Sequence, residues 1–199
     1  MRCAKACHPA RIMPLVDDAT AFRRASAGFL QRAERIRDDQ WTSPTPCAEW
    51  NVRALVNHIA GEYMWMPELI AGKTIAEVGD RFDGDVLGDQ PIHALVAAQQ
   101  AAAAALDEPG ALERSVHLSF GDLPALAYVK QMAVDSVIHA WDLARGTGGD
   151  EALDPELVAM AYEELEQTAE DWRSGGAFGP ATSAADASTQ AKLLALSGR

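Results

Sequence analysis

Residues 123–144, LPALAYVKQMAVDSVIHAWDLA, are the most informative stretch for the fold because they have the pattern of a core helix that also carries ionisable side chains. At about 100° per residue, His139 lies near the middle of an apolar face and Asp135 lies at its edge, one turn earlier. A carboxylate and an imidazole buried in a helical bundle cost several kcal/mol unless they are paired or bound to a metal ion. The other members of this face are Tyr128, Val129, Met132, Ser136 and Leu143.

A second predicted helix supplies a third ionisable side chain, His58. One histidine from this helix, together with Asp135 and His139, suffices for a three-ligand metal site with an open coordination position. The plainer alternative stays open, because a single histidine on an apolar face is commonly a hydrogen-bonded core residue and Asp135 could pair with Arg53. The apolar residues that recur at helical spacing around His58 are Val52, Leu55, Ile59 and Met66.

Four further side chains are weighed against this site. Glu62 follows His58 by one helical turn and is a candidate fourth ligand, hydrogen-bond partner of a ligand, or general base, although it could equally be solvated. Asp142 is predicted to make an ion pair or an interhelical hydrogen bond. His93 and His117 are isolated in the sequence and are predicted to lie on the surface.

Three cysteines are too few for a disulfide framework. Cys3, Cys7 and His8 have a spacing that could bind metal, but they fall in residues 1–12, which are predicted to be a disordered tail. Cys47 lies in a proline-rich connection, where it is either a reactive thiol or a small buried hydrophobe.

The rest of the chain is predicted to be helical and to form a single domain over residues 13–199. Alanine is abundant and β-branched residues are sparse, which favours helices over strands. A weakly alternating stretch at 114–120 indicates a short hairpin. We therefore predict an all-α antiparallel bundle. The first helix covers residues 15–38, and the second starts after the N-cap Asn51. The third covers 91–106, and the fourth covers 124–144 with Gly146 as its C-cap. A fifth helix starts at Asp154-Pro155, and a short last helix ends the chain.

Composition excludes several classes of partner. The formal net charge of −12 argues against nucleic acid, because phosphate contacts need a basic surface. It also gives no support to binding at an anionic membrane. No apolar run approaches the ~20 residues of a membrane-spanning helix. Arg2 and Lys5 are not followed by an apolar segment, so we expect no secretory signal and a cytoplasmic protein.

An apolar stripe formed by Val134, Val137 and Trp141 lies opposite the His139 face of the predicted helix. Such a stripe on the back of a bundle helix indicates burial against another element. That element is either a further helix of this chain or a second subunit, so a homodimer is one expectation.

Three stretches resemble one protein family. Residues 41–58, WTSPTPCAEWNVRALVNH, are similar to the start of the second helix in the mycothiol-dependent maleylpyruvate isomerase N-terminal-domain family. Residues 135–148, DSVIHAWDLARGTG, resemble its fourth-helix signature. Residues 193–199, LLALSGR, resemble the end of an actinobacterial subgroup described as metal-binding.

The resemblance implies a DinB-like four-helix bundle with up-down-down-up topology, followed here by extra C-terminal helices. It also implies one divalent metal ion, zinc or alternatively nickel, at the positions that match His58, Asp135 and His139. The carboxylate in the isomerase is typically glutamate, so Asp135 has a shorter reach here. The isomerase carries an additional C-terminal domain, and we expect this chain to have no room for one. We therefore expect the fold and the metal site to carry over better than the isomerisation.

The function that this resemblance implies is that of a mycothiol-dependent S-transferase or isomerase. The open coordination position would bind the thiol sulfur, lower its pKa and present a thiolate to a small electrophile. Two alternatives stay open. The same position could hold a water molecule for hydrolysis, or the bundle could bind its metal without catalysis, for a structural, sensing or partner-binding role.

Overall fold

The computed structural model describes residues 16–48 and 50–199. The predicted tail at 1–12, with Cys3, Cys7 and His8, lies outside these described residues. The elements are α1 (Asp18–Ala33), α2 (Val52–Ile70), α3 (Ile75–Val78), α4 (Pro91–Ala105), β1 (Ser115–Leu118), β2 (Gly121–Pro124), α5 (Ala125–Thr147), α6 (Pro155–Ser174) and α7 (Thr189–Leu196), with 3-10 turns at Asp38–Gln40 and Ala111–Glu113.

The long helices α1, α2, α4 and α5 form a bundle in which α1 packs mainly on α5 and α2 mainly on α4. Phe22, near the start of α1, meets Tyr63 in the second half of α2, edge to face with ring centroids 5.5 Å apart. Arg23 hydrogen bonds a carbonyl near the end of α4. Lys130, in the second turn of α5, lies 4.0 Å from Asp18 at the start of α1. α2 and α4 therefore run opposite to α1 and α5, which confirms the predicted all-α, up-down-down-up bundle.

The helix starts follow from local capping. The side chain of Asn51 accepts a hydrogen bond from the Ala54 amide at 2.9 Å and caps α2. Asp154 caps α6 in the same way, through the Glu156 amide at 3.0 Å, and Pro155 takes the first helical position. Both starts were predicted from these residue types.

The end of α5 differs from the prediction. The helix does not stop at Gly146 but continues to Thr147, and Gly148 forms its C-cap with φ +65°. Gly146 has a packing role instead, since a Cβ there would lie 3.0 Å from the carbonyl oxygen of Pro44. The missing side chain lets the proline-rich connection approach α5 closely.

α5 is the central helix, and every residue from Met132 to Ala144 is buried. The back-face stripe of Val134, Val137 and Trp141 is buried within one chain, where α5 packs against α6 as well as α1. The stripe therefore gives no reason to expect a second subunit.

One hydrophobic core extends from α1 to α7, and the antiparallel β1–β2 hairpin lies between α4 and α5 in the chain, as predicted. The boundaries of the single domain over 13–199 stay a prediction. Among the described residues, no helix combines the length and the hydrophobicity that crossing a bilayer requires.

Candidate metal centre

Three side chains predicted as metal ligands converge between α2 and α5. His58 Nε2 lies 3.3 Å from one oxygen of Asp135, and His139 Nε2 lies 3.3 Å from the other. A ligand atom from each side chain falls within 4.8 Å of the other two. Asp135 and His139 occupy successive turns of α5, and the antiparallel α2 brings His58 across from them. Two imidazole nitrogens and a carboxylate fit a zinc or nickel ion by the chemistry of the donor set.

Asp142 is fully buried and contacts the Nδ1 atom of His139. Its Oδ2 lies 2.9 Å from His139 Nδ1, and because a carboxylate only accepts, the Nδ1–H must donate. The other imidazole nitrogen, Nε2, then faces Asp135 and is the one available to a metal ion once it has lost its proton. Arg199 reaches Asp142 from beyond α7, with Nη2 at 2.7 Å from Oδ2 and Nε at 3.1 Å from Oδ1.

Cys47 belongs to the same cluster, on the far side of His139 from Asp135. Its Sγ lies 3.3 Å from Asp142 Oδ2 and 3.2 Å from Arg199 Nη2. Cys47, His139 and Asp142 also place three donor atoms within 4.8 Å of one another. The Arg199 guanidinium already supplies the positive charge at this position, so a second metal ion is not needed there.

The His58 side of the site is more open. The His58 side chain is 27% exposed and that of Glu62 is 34% exposed, against 6% for His139. Glu62 Oε1 lies 4.0 Å from His58 Nδ1, which is beyond hydrogen-bond distance. The ring of Trp50 packs over both imidazoles, with centroids 4.6 Å from His58 and 5.7 Å from His139.

The charges in the cluster are strongly coupled. Burial disfavours the ionised form of Asp135, but His139 and then His58 hold the pKa of its carboxyl well below the usual range. Burial likewise disfavours a charged His139, yet Asp135 and Asp142 raise the pKa of its imidazole well above the ordinary value. Burial and the negative charge of Asp135 raise the pKa of Glu62. The metal-free site is thus a carboxylate paired with a protonated imidazole, and a metal ion would take the place of that proton.

Two buried hydroxyl groups lie along the same face of α5. Ser136 Oγ is 2.9 Å from Tyr63 Oη and donates to the Met132 carbonyl at 2.6 Å, so this pair is internally satisfied. The hydroxyl of Tyr128 is buried and finds no hydrogen-bond partner among the described residues. Burial, Glu62 and Asp135 raise its pKa well above the ordinary value, so it stays a hydroxyl donor at neutral pH.

The other candidates lie away from the centre. Arg53 does not pair with Asp135 but reaches Asp85 at 2.8 Å. His93 is exposed, and His117 pairs with Asp122 across the hairpin at 2.8 Å.

An ion pair or an interhelical hydrogen bond was predicted for Asp142, and Asp142 forms an ion pair with Arg199. Its contact with His139 and the positions of Arg199 and Trp50 were not predicted. The spacing of Asp135, His139 and Asp142, at i, i+4 and i+7, places all three on one helix face and could have indicated the contact. For Arg199, the only available signal was the family-like LLALSGR motif.

Comparisons with known proteins bear on the family and the fold. A family model described as the mycothiol maleylpyruvate isomerase N-terminal domain matches residues 22–144. Two uncharacterized proteins of Mycobacterium tuberculosis, from different strains, are each 35% identical over 147 residues, which cover 72% of this chain and 74% of theirs.

Two solved structures share the fold. They are the mycothiol-dependent maleylpyruvate isomerase and its histidine-to-alanine mutant, with TM-scores of 0.61 and 0.62. Sequence identity is 17% and 16%, respectively, and each match covers 84% of this chain and 75% of the solved chain.

Proposed function

This chain belongs to the mycothiol maleylpyruvate isomerase N-terminal domain family, and from that premise we propose that it is a metal-dependent enzyme that uses a low-molecular-weight thiol. The thiol is mycothiol, and the second substrate is a small electrophile. The reaction is either cis–trans isomerisation or S-transfer. Zinc is the expected ion, with nickel as the alternative.

The observation that carries this proposal is the convergence of His58, Asp135 and His139 on one point between α2 and α5. Two histidines and one carboxylate are a typical ligand set of catalytic zinc sites, which keep a further position for substrate. An ion held there would supply a Lewis acid that lowers the pKa of a bound thiol and stabilises its thiolate.

The surroundings of the donors suit an enzyme because one side of the site, at His58 and Glu62, is partly exposed to solvent. Glu62 lies on this exposed side, where its carboxyl could accept the thiol proton and return a proton to the product. Trp50 covers the imidazoles and limits the access of water from its own side. The hydroxyl of Tyr128, which has no hydrogen-bond partner in the described part of the chain, could donate to an oxygen atom of the electrophile.

These roles account for both reactions. Addition of a thiolate sulfur to an activated carbon–carbon double bond moves the electron pair of that bond onto the activating group and leaves a single bond, which can rotate. Return of this electron pair expels the same thiolate and gives the isomer. If the anionic adduct instead takes up a proton, which Glu62 could supply after accepting it from the thiol, the product is a stable thioether, as expected for S-transfer.

The first test is the metal content of protein purified without a metal-affinity tag, measured by inductively coupled plasma mass spectrometry. We expect about one zinc or nickel ion per chain, as for other sites with a single ligand set. Absence of both metals, even after incubation with zinc and dialysis, would overturn the proposed metal site.

The second test is turnover of the metal-loaded protein with mycothiol and maleylpyruvate, followed by chromatography and mass spectrometry. Conversion to the trans isomer without consumption of thiol would identify an isomerase, and a thiol–substrate conjugate would identify a transferase. Reactions without mycothiol serve as controls. If the loaded protein catalyses neither reaction with maleylpyruvate or with simple α,β-unsaturated acids, the enzymatic proposal fails and a non-catalytic metal-binding role replaces it.

A further inference from the structure

Arg199 lies in a socket built by the segment around α7. Its guanidinium lies over the ring of Phe178, 5.6 Å from the centroid, and its Nη1 donates to the Ser197 carbonyl at 2.7 Å. The hydroxyl of Thr182 donates to the Arg199 carbonyl at 2.7 Å. Arg199 is therefore fixed by contacts of its own, on both the backbone and the side chain.

Gly198 makes this arrangement possible. Its φ of +77° lies in the left-handed region that favours glycine, and a Cβ there would lie 3.1 Å from the carbonyl oxygens of both Gly179 and Pro180. The backbone thus turns tightly against residues 179–180 and directs the next side chain back into the bundle.

The target of Arg199 is Asp142, a carboxylate with no solvent exposure. A buried carboxylate is costly unless it is paired and hydrogen bonded. Arg199 supplies a charge and two donor nitrogens, while His139 Nδ1–H supplies a further donor. These contacts and burial fix Asp142 in one orientation, with one oxygen aimed at His139.

The orientation of Asp142 determines what His139 can do. Because Nδ1 carries the hydrogen that bonds Asp142, Nε2 is the nitrogen that can bind a metal ion. Without the guanidinium, Asp142 would lose its counterion and two of its donors. Its carboxylate would then turn toward other donors, and the His139 ring would lose its fixed tautomer and angle.

We infer that Arg199 is a positioning residue of the metal centre, which acts through Asp142 to hold His139 Nε2 toward the metal. This inference rests on the metal site proposed above. It links the segment after α7 to ligand geometry on α5, 57 residues away in sequence.

The test is zinc affinity, measured by competition with a chromophoric chelator, in wild type, Arg199→Ala and Arg199→Lys. Loss of a hydrogen-bond partner behind a ligating histidine typically weakens metal affinity by 10–100-fold, so we expect roughly 10-fold weaker binding for Arg199→Ala. Arg199→Lys keeps the charge but not the planar fork, and its loss should be smaller. The His139 Nδ1–H resonance in ¹⁵N-histidine NMR should be sharp in wild type and broadened in Arg199→Ala.

Arg173→Ala is the matched control. Arg173 Nη1 donates to the Leu196 carbonyl at 2.9 Å, so this variant loosens α7 without a contact to Asp142. We expect it to lower the thermal midpoint while zinc affinity and the Nδ1–H resonance stay as in wild type. Equal loss of affinity in Arg173→Ala and Arg199→Ala would overturn the inference, since general packing of α7 would then explain both.

Two further outcomes are distinguishable. Wild-type affinity in a folded Arg199→Ala variant would overturn the positioning role while leaving the metal site intact. A wild-type protein that binds no zinc would overturn the proposed site itself, and this inference with it. Arg199→Lys keeps the test decisive if Arg199→Ala fails to fold.

Discussion

The two histidines of the centre occupy contrasting surroundings. His139 is buried, its Nδ1 is 2.9 Å from Asp142, and Arg199 supports that carboxylate from behind. His58 is partly exposed, and its nearest carboxylate on the Nδ1 side, Glu62, is 4.0 Å away. Each imidazole thus has a carboxylate near its Nδ1, but only the His139–Asp142 pair is within hydrogen-bond distance.

One half of the site is therefore rigidly held, whereas the other half is partly exposed. The His139 half is held by a continuous chain of hydrogen bonds that reaches the segment after α7. In the His58 half, the imidazole packs against Trp50 and its Nε2 lies 3.3 Å from Asp135. Such a difference would suit the proposed metal enzyme. The His139 half would hold the metal ion, and the more exposed His58 half would leave space for the substrate.

The largest expected effect is loss of the metal when either histidine is removed. His58→Ala and His139→Ala should both lose zinc on dialysis, measured by mass spectrometry, whereas the exposed His93→Ala should retain it. At saturating zinc the two variants should differ. His58→Ala should recover some bound zinc, because water could replace the exposed His58 as a ligand, whereas water could not replace the buried His139. Equal recovery of zinc by both variants would contradict the contrast, and full retention in both would rule out the site.

The next largest effect concerns the open half. Glu62→Gln removes the carboxyl that we propose moves protons, and such groups typically contribute 10²–10⁴-fold to rate. Turnover should fall by roughly that factor while zinc content stays unchanged. Glu68→Gln is the matched control on α2, since Glu68 pairs with Lys73 and Arg81 instead. Loss of zinc from Glu62→Gln would instead make Glu62 a ligand.

A moderate effect on stability is expected at the buried hydrogen bond between Ser136 on α5 and Tyr63 on α2. Ser136→Ala leaves the buried Tyr63 hydroxyl without its partner, which should lower the free energy of unfolding by about 1–3 kcal/mol. Urea denaturation measures this, and zinc affinity should stay as in wild type. A weakened affinity in this variant would show that the firm half extends beyond Asp142 and Arg199.

The smallest effect on stability is expected for Tyr128→Phe. The Tyr128 hydroxyl is buried and has no hydrogen-bond partner within residues 16–48 and 50–199, so its removal should leave the unfolding free energy unchanged or slightly raised. The same variant should lower turnover if this hydroxyl contacts the electrophile. A destabilisation as large as that of Ser136→Ala would mean that the hydroxyl is satisfied in solution.

Much of the architecture could be predicted from local sequence. The caps at Asn51 and Asp154 start their helices as expected, because a side-chain acceptor satisfies the first free amides. The same local reasoning failed at Gly146, where the glycine serves a close approach of Pro44 and the helix continues. A glycine alone does not reveal whether a turn or a neighbour requires it.

The sequence by itself determined which residues share a face. Helical periodicity places Asp135 beside His139, and this depends only on spacing along α5. Which faces meet depends on the tertiary structure. In the folded chain α6 packs on the back of α5, Glu62 lies 4.0 Å from His58 Nδ1, and Arg199 forms an ion pair with Asp142. The physical reason is the sequence separation over which each interaction acts. Backbone geometry repeats over a single turn, whereas a contact across 57 residues depends on how every intervening helix docks.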